Sequence, residues 1–300
     1  MNRRESLRLL TACAAVSPIR AADQAAPLSI PLRAIPFTGE KIPVFGVVSA
    51  PNTPEKRPAE VEEVLKPFVE MGGKMVMVSP RHEGADEVIG NALGKLGVKD
   101  KVFLAGMVRA QGKEAGVTSM KETMECLGTK KMDLMLVADL VDAKVHLDTL
   151  RGWKKDGLVR YIGLEHSIPS NRYFEEMTRL AASVPIDFIH IDYSISRSMA
   201  DKRLLGVASD KGIAVIAARP LGGGEIAVKA DTMELPGWAA ELGCKSWHQL
   251  FLKFALSHPA ITSSVITMPS PSSLAELAEA AHGPMLDAGL RTKLLDLFRS

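Results

Sequence analysis

Seven side chains that can move protons or ligate cations stand at or just beyond short apolar runs: His82 and Glu83, Asp139, Glu165 and His166, His190, and Asp192. Imidazole titrates near neutrality and can give or take a proton at physiological pH. Imidazoles mixed with carboxylates also suit Zn²⁺ or another divalent first-row metal. Glu165 with His190 is the first choice for such a pair, and a metal there would polarise a carbonyl for isomerase or lyase chemistry. Against that, no compact spacing such as His-x₃-His links these residues, so the expectation is rim hydrogen bonding and no metal. A second kind of chemistry is suggested by Arg219-Pro220 followed by Gly222, Gly223 and Gly224. Backbone amides of a glycine loop can cradle phosphate, although three glycines after a strand more often only turn the chain.

The elements that would position these residues follow from the hydrophobic pattern. Leu32 to Phe45, with Thr38-Gly39 at its centre, reads as a β-hairpin. Short apolar runs then alternate with amphipathic stretches, the pattern of βα units around a parallel sheet. Strands are expected over 44–48, 74–78, 102–107, 134–137, 159–164, 188–191, 214–217 and 264–266. Helices are expected over 58–71, 119–127, 144–155, 170–182 and 246–256, several opened by a capping Ser. Eight alternations with right-handed crossovers close most simply into a (β/α)₈ TIM barrel, an α/β fold whose functional end is the C-terminal rim of the strands. The stretch from Leu221 to Ser246 is expected to be a loop over that rim with a short helix near Trp238.

Composition narrows the partners. A length of 300 residues with 46% hydrophobic and 24% charged side chains suits a single barrel domain over 28–300. A formal charge of +2 with interspersed signs offers no basic stripe for a phosphate backbone, so nucleic acid is not an expected partner. Beyond the N-terminal segment no stretch approaches the roughly 18 uninterrupted apolar residues that a membrane span requires. Cys126 and Cys244 lack metal-site spacing and read as packing residues.

Segments along most of the chain resemble the aldo-keto reductase family. They are Met75 to Gly90, Lys101 to Val108, Met132 to Asp139, Arg151 to Gly163, Ile186 to Ser194, Gly212 to Gly224 and Leu235 to Gly243, within a likeness running from about Leu28 to Leu290. The resemblance implies a hairpin plugging the bottom of the barrel, NADP(H) as cofactor and carbonyl reduction by an Asp, Tyr, Lys and His. In register, those four positions hold Met77, His82, Met107 and Ala138. The family's cofactor-binding positions are altered as well. Short polar residues at the end of the fifth strand are replaced by Glu165-His166, and the Gln of the sixth strand by His190. The basic residue and Asn expected after the last strand are absent from Ile266 to Ser270 and at Leu277, while Arg219, Gly222, Gly223 and Gly224 survive.

Losing an acid worth about 10²–10⁴-fold and a hydrogen-bond donor worth about 10²–10³-fold should leave little reductase activity. Replacing both halves of a buried Lys–Asp pair by apolar residues is often neutral for stability, which is what Met77 and Met107 do. The expected function is therefore a redox-inactive homologue, a pseudoenzyme, that binds a small ligand or a protein partner at the barrel mouth. The alternatives are an NADP(H)-dependent oxidoreductase with His82 as proton donor, and a metal-dependent isomerase or lyase using Glu165 and His190. The first residues, Asn2-Arg3-Arg4-Glu5-Ser6-Leu7-Arg8 with an apolar run to Val16, resemble a twin-arginine export signal over 1–22. That implies a periplasmic or exported protein, with the cytoplasm as the alternative.

Overall fold

A computed structural model describes residues 28–53, 56–167, 171–223 and 225–298. The expected export segment, 1–22, lies outside the described residues. Eight parallel strands form a closed barrel: β3 (Phe45–Val48), β4 (Met75–Met77), β5 (Phe103–Val108), β6 (Met132–Ala138), β7 (Val159–His166), β8 (Phe188–Asp192), β9 (Ala214–Ala218) and β10 (Ile261–Thr267), the last pairing with both β9 and β3. All eight expected strands are present. Both faces of these strands are covered, so they read as nearly continuous apolar runs rather than as alternation, and every residue of β5 and β9 is buried.

The antiparallel hairpin β1 (Leu32–Ala34) and β2 (Lys41–Pro43) precedes the barrel. Its Ile35 and Ile42 join the barrel-interior cluster with Phe103, Tyr161 and Phe188, and Phe37 sets its ring edge-on to Tyr161 at 5.7 Å. The hairpin thus closes the floor. At one seam the backbones come so close that only glycine fits: a Cβ on Gly163 would lie 2.0 Å from the carbonyl oxygen of Phe188.

Helices α1 (Pro58–Glu70), α2 (Ala85–Leu96), α3 (Lys113–Cys126), α4 (Ala143–Lys155), α5 (Asn171–Ser183), α6 (Leu204–Lys211), α7 (Glu225–Asp231), α8 (Trp247–Leu256), α9 (Pro271–Ala280) and α10 (Ala288–Phe298) surround the barrel. Their buried faces make a second core against the outside of the strands, with Val61, Leu65, Leu93, Leu147 and Phe254 among its members. Ser246 caps α8 as expected, its hydroxyl accepting from the Gln249 amide at 3.2 Å.

Two expectations are corrected. Helix α3 starts at Lys113, not at Ser119, which lies inside it. Gly112, at φ +81°, makes the turn into the helix while its amide donates to the Asp142 carboxylate, so no serine cap is needed. The stretch after Leu221 holds the short helical turn expected near Trp238, a 3₁₀ turn over Gly237–Leu242 whose Ala239 and Leu242 are buried in the outer core, and in addition α7. The Trp247 indole donates to the Met233 carbonyl at 3.0 Å and draws this segment toward α8. Cys126 is exposed rather than packed, whereas Cys244 is buried. Among the described residues no helix is long and apolar enough to cross a membrane.

Candidate functional site at the barrel mouth

The C-terminal ends of β4 to β9 present the polar residues of the barrel. Arg81, in the turn after β4, reaches across the opening to two carboxylates on other strands. Its guanidinium donates to Asp139 Oδ1 at 2.5 Å and to the two oxygens of Glu165 at 3.2 and 3.4 Å. Glu165, on β7, is fully buried. Asp139, just past β6, also accepts from Arg109 Nε at 2.7 Å. Arg81 and Arg109 flank one carboxylate, and Glu165 completes a group of two cations and two anions.

Burial pushes the Asp139 carboxyl up, but Arg81 and Arg109 more than offset this and hold it below the usual carboxylate range. Burial likewise works against the Arg81 cation, and Glu165 and Asp139 outweigh it, so its pKa rises. Asp139 and Leu140 sit in the left-handed region, at φ +52° and +56°. For residues with a Cβ that conformation costs about 1–2 kcal/mol.

His82 follows Arg81 and does have a partner: Ser49 Oγ lies 2.9 Å from its Nδ1. Ser49, just past β3, also accepts from the Ser79 amide at 3.1 Å. Burial lowers the His82 pKa and the Arg81 charge lowers it further, against an opposing contact with Ser49. His190, opposite Glu165 in the β7–β8 register, is 3% exposed, and neither ring nitrogen has a hydrogen-bond partner. Burial drives its pKa from 6.5 to about 4 although Glu165 opposes the shift. His166 lies against Tyr173 with ring centroids 4.1 Å apart and planes tilted by 31°. Its Nδ1 is 3.3 Å from Asp139 without the alignment of a hydrogen bond.

A third carboxylate, Asp192 at the end of β8, accepts from Arg197 at 2.5 Å and lies 3.8 Å from Arg219. Burial raises the Asp192 pKa against both arginines. Between these groups is a cavity of about 200 Å³. Ser49, Arg81, His82, His190 and Arg219 line it, with Met107 as an apolar wall.

The structure brings together His82, His190 and Arg219 from the expected set, with Glu165 and His166 behind the cavity wall. Met77, Met107 and Ala138 are buried in the barrel interior. Gly222 and Gly223 take positive φ, +82° and +70°, and serve as a turn; neither lines the cavity. Gly224 lies outside the described residues. The metal alternative loses its first ligand because the Glu165 oxygens are bound to Arg81. Among the described residues no group of three or more His, Cys, Asp or Glu is arranged to hold a metal. Tyr193, next to Asp192, donates to Asp201 at 2.6 Å and accepts from Arg291 at 2.6 Å.

Arg81, Arg109, Arg197 and Ser49 are the participants that residue types alone did not reveal. Arg81 had a visible signal, since it adjoins His82 in the same post-strand turn. Arg109 and Arg197 also follow strands, but nothing in the sequence states which carboxylate each will meet.

Comparison with known proteins places this mouth in a familiar fold. Residues 44–288 match the Aldo/keto reductase family. The chain is similar in structure to a thermostable aldo-keto reductase solved with the inhibitor epalrestat, at 21% identity and TM-score 0.73, covering 89% of this chain and 100% of that one. It is also similar to an aldo-keto reductase from Klebsiella pneumoniae in complex with NADPH, at 16% identity and TM-score 0.73, covering 89% of this chain and 94% of that one. The holo form of aldo-keto reductase AKR11C1 from Bacillus halodurans matches at 15% identity and TM-score 0.70, over 89% of this chain and 96% of that one. At these identities the likeness is one of fold.

Proposed function

Since the chain belongs to the aldo/keto reductase family, we propose that it has kept the family's barrel as a binding protein for a small ligand and has given up NADP(H)-dependent carbonyl reduction. The observation that carries this reading is the unmet hydrogen-bonding capacity of the mouth. Of the ten buried side-chain atoms without a partner among the described residues, six are there: Arg81 Nε, both ring nitrogens of His166 and of His190, and Asp192 Oδ1. Leaving such an atom unpaired costs about 1–3 kcal/mol, so their concentration beside a cavity is what a binding site produces.

The residues present do not fit the reacting end of a nicotinamide dinucleotide. Glu165, at the position that resemblance assigns to the cofactor's amide, has both oxygens committed to Arg81. Met77 and Met107 put apolar surface where a Lys and an Asp would tune a proton donor. Burial and the Arg81 charge favour the uncharged form of His82, which makes it a weak acid at neutral pH. The cavity, about 200 Å³, is also smaller than the roughly 300–1,000 Å³ usual for ligand clefts.

The test is titration of the protein with NADPH by calorimetry, with concentrations that would reveal a dissociation constant of about 1 mM, or −4 kcal/mol, alongside NADPH oxidation with aldehydes and sugars. The expected result is no binding tighter than about 1 mM and a flat absorbance trace. Micromolar binding with turnover that His82→Ala abolishes would overturn the proposal in favour of a reductase using His82. We also propose that residues 1–22 direct export by the twin-arginine route. Mass spectrometry of the protein recovered from the periplasm should find an N-terminus near Ala22, and an intact chain in the cytoplasm would exclude it.

A further inference from the structure

The charges around the cavity are unequal. The ion pairs at the mouth join four arginines, Arg81, Arg109, Arg197 and Arg219, to three carboxylates, Asp139, Glu165 and Asp192. Arg81 and Arg109 are balanced by Asp139 and Glu165. Arg197 holds Asp192 at 2.5 Å, while Arg219 reaches the same carboxylate only at 3.8 Å, beyond hydrogen-bond range. Arg219 therefore supplies the surplus positive charge, and it borders the cavity. Its backbone stands at φ +52°, an observed departure of the kind that clusters at ligand clamps.

The carboxylates stand behind the arginines: the cavity wall includes Arg81 and Arg219 but not Asp139, Glu165 or Asp192. The other polar groups facing in are neutral. His190, buried with both ring nitrogens unpartnered, offers one N–H donor and one lone-pair acceptor. Ser49 and His82 add a hydroxyl and a second imidazole. An occupant must bring one negative charge for Arg219 and, for His190, an oxygen that accepts from its N–H or, as a hydroxyl, also donates to its lone pair. With each water taking about 30 Å³, a space of about 200 Å³ holds a molecule of roughly six or seven non-hydrogen atoms.

We infer that the cavity binds a small monocarboxylate bearing a hydroxyl or oxo group next to the acid, with Arg219 taking the carboxylate and His190 the neighbouring oxygen. The inference rests on the ligand-binding reading of this same cavity and adds the class of ligand. Neither Arg219 nor His190 occupies one of the four positions lost from the reductase chemistry.

The test is calorimetry of the full chain with lactate and 2-oxobutyrate, with lactamide as the neutral counterpart of lactate and with inorganic phosphate as a different anion. Lactate and 2-oxobutyrate should bind with dissociation constants of about 1 mM or tighter, and lactamide at least tenfold more weakly. Arg219→Gln should weaken lactate at least tenfold and leave lactamide unchanged, and Arg219→Lys should restore part of the loss. Thermal melts of both variants establish that they are folded. Equal binding of lactate and lactamide would overturn the assignment of an anion while leaving a ligand site. Binding of phosphate but not the carboxylates would overturn the ligand class. Binding of NADPH with none of the carboxylates would overturn both the inference and the reading beneath it.

Discussion

The two ends of this barrel are built to opposite rules. At the floor, Phe37, Phe103, Tyr161 and Phe188 contact one another with ring centroids 5.4 to 6.4 Å apart. Polar groups pair there too, the Tyr161 hydroxyl and the Arg160 guanidinium both donating to Glu40 at 2.5 Å, although Arg151, which borders a cavity beside Phe37, leaves two guanidinium nitrogens unpartnered. At the mouth, carboxylates and arginines are close-packed, yet most of the unpartnered buried atoms are found there. The floor is held chiefly by aromatic packing. The mouth tolerates unsatisfied groups, as folds commonly do where a site must stay ready for something else.

The sharpest way to break this contrast is at the floor. Phe188 is fully buried between two other rings and the hairpin. Phe188→Ala should cost about 3–5 kcal/mol, the usual range for a large aromatic removed from a core. Urea denaturation measures this directly, and a loss under about 1 kcal/mol would show that the floor is not the close-packed plug described.

At the mouth, the largest effect should come from Arg81→Met, which leaves Glu165 and Asp139 without their shared cation. Breaking a buried pair costs about 3–5 kcal/mol. Because the Arg81 side chain is 24% exposed, solvent should reduce that to about 2–3 kcal/mol. Adding Glu165→Gln should recover part of it, because the uncompensated charge is then gone. If the single variant is as stable as the parent, the ion cluster is not what holds the mouth together.

The cluster also marks what the sequence could and could not convey. Eight strands were legible because both faces of a barrel strand are buried, so apolar runs such as Val102 to Val108 stand out. The hairpin was legible from Thr38-Gly39. The destination of Arg81 was not, since it meets Asp139 and Glu165 58 and 84 positions away, and only barrel closure brings those strand ends together. Met77 and Met107 are buried apolar side chains of the barrel interior, and an ion group that the sequence did not announce stands at the mouth on other residues, Arg81, Arg109, Asp139 and Glu165. The start of α3 was missed for a local reason: a glycine turn and a distant carboxylate, Asp142, did the work assigned to a serine.

His190 gives a pH test of the same contrast. In the unfolded chain it protonates near 6.5, whereas in the folded protein burial holds it neutral down to about 4. Between those values the unfolded state binds more protons, so this residue makes stability fall as pH drops from 6.5 toward 4, and below 4 the loss is complete. A shift of that size corresponds to at most about 3 kcal/mol. His190→Asn should flatten the acid limb of a stability profile measured by denaturation from pH 7 to pH 4. An unchanged slope in the variant would mean that His190 is accessible to protons in the folded state.

The smallest effect expected is at Arg109, and it separates contact from burial. Arg81 and Arg109 bind the same carboxylate, at 2.5 and 2.7 Å, so their geometry is nearly equal. Their surroundings are not: the Arg109 side chain is 51% exposed against 24% for Arg81. An exposed pair is screened and is worth about 0.2–1 kcal/mol, so Arg109→Gln should cost less than about 1 kcal/mol, several times less than Arg81→Met. Salt sharpens the comparison, because the Debye length shrinks from about 10 Å at 0.1 M to about 3 Å at 1 M. In 1 M sodium chloride the effect of Arg109→Gln should vanish while most of the Arg81→Met effect persists. Equal costs for the two variants at both salt concentrations would mean that solvent reaches the whole cluster alike, and the mouth would then be an ordinary charged surface with no buried site beneath it.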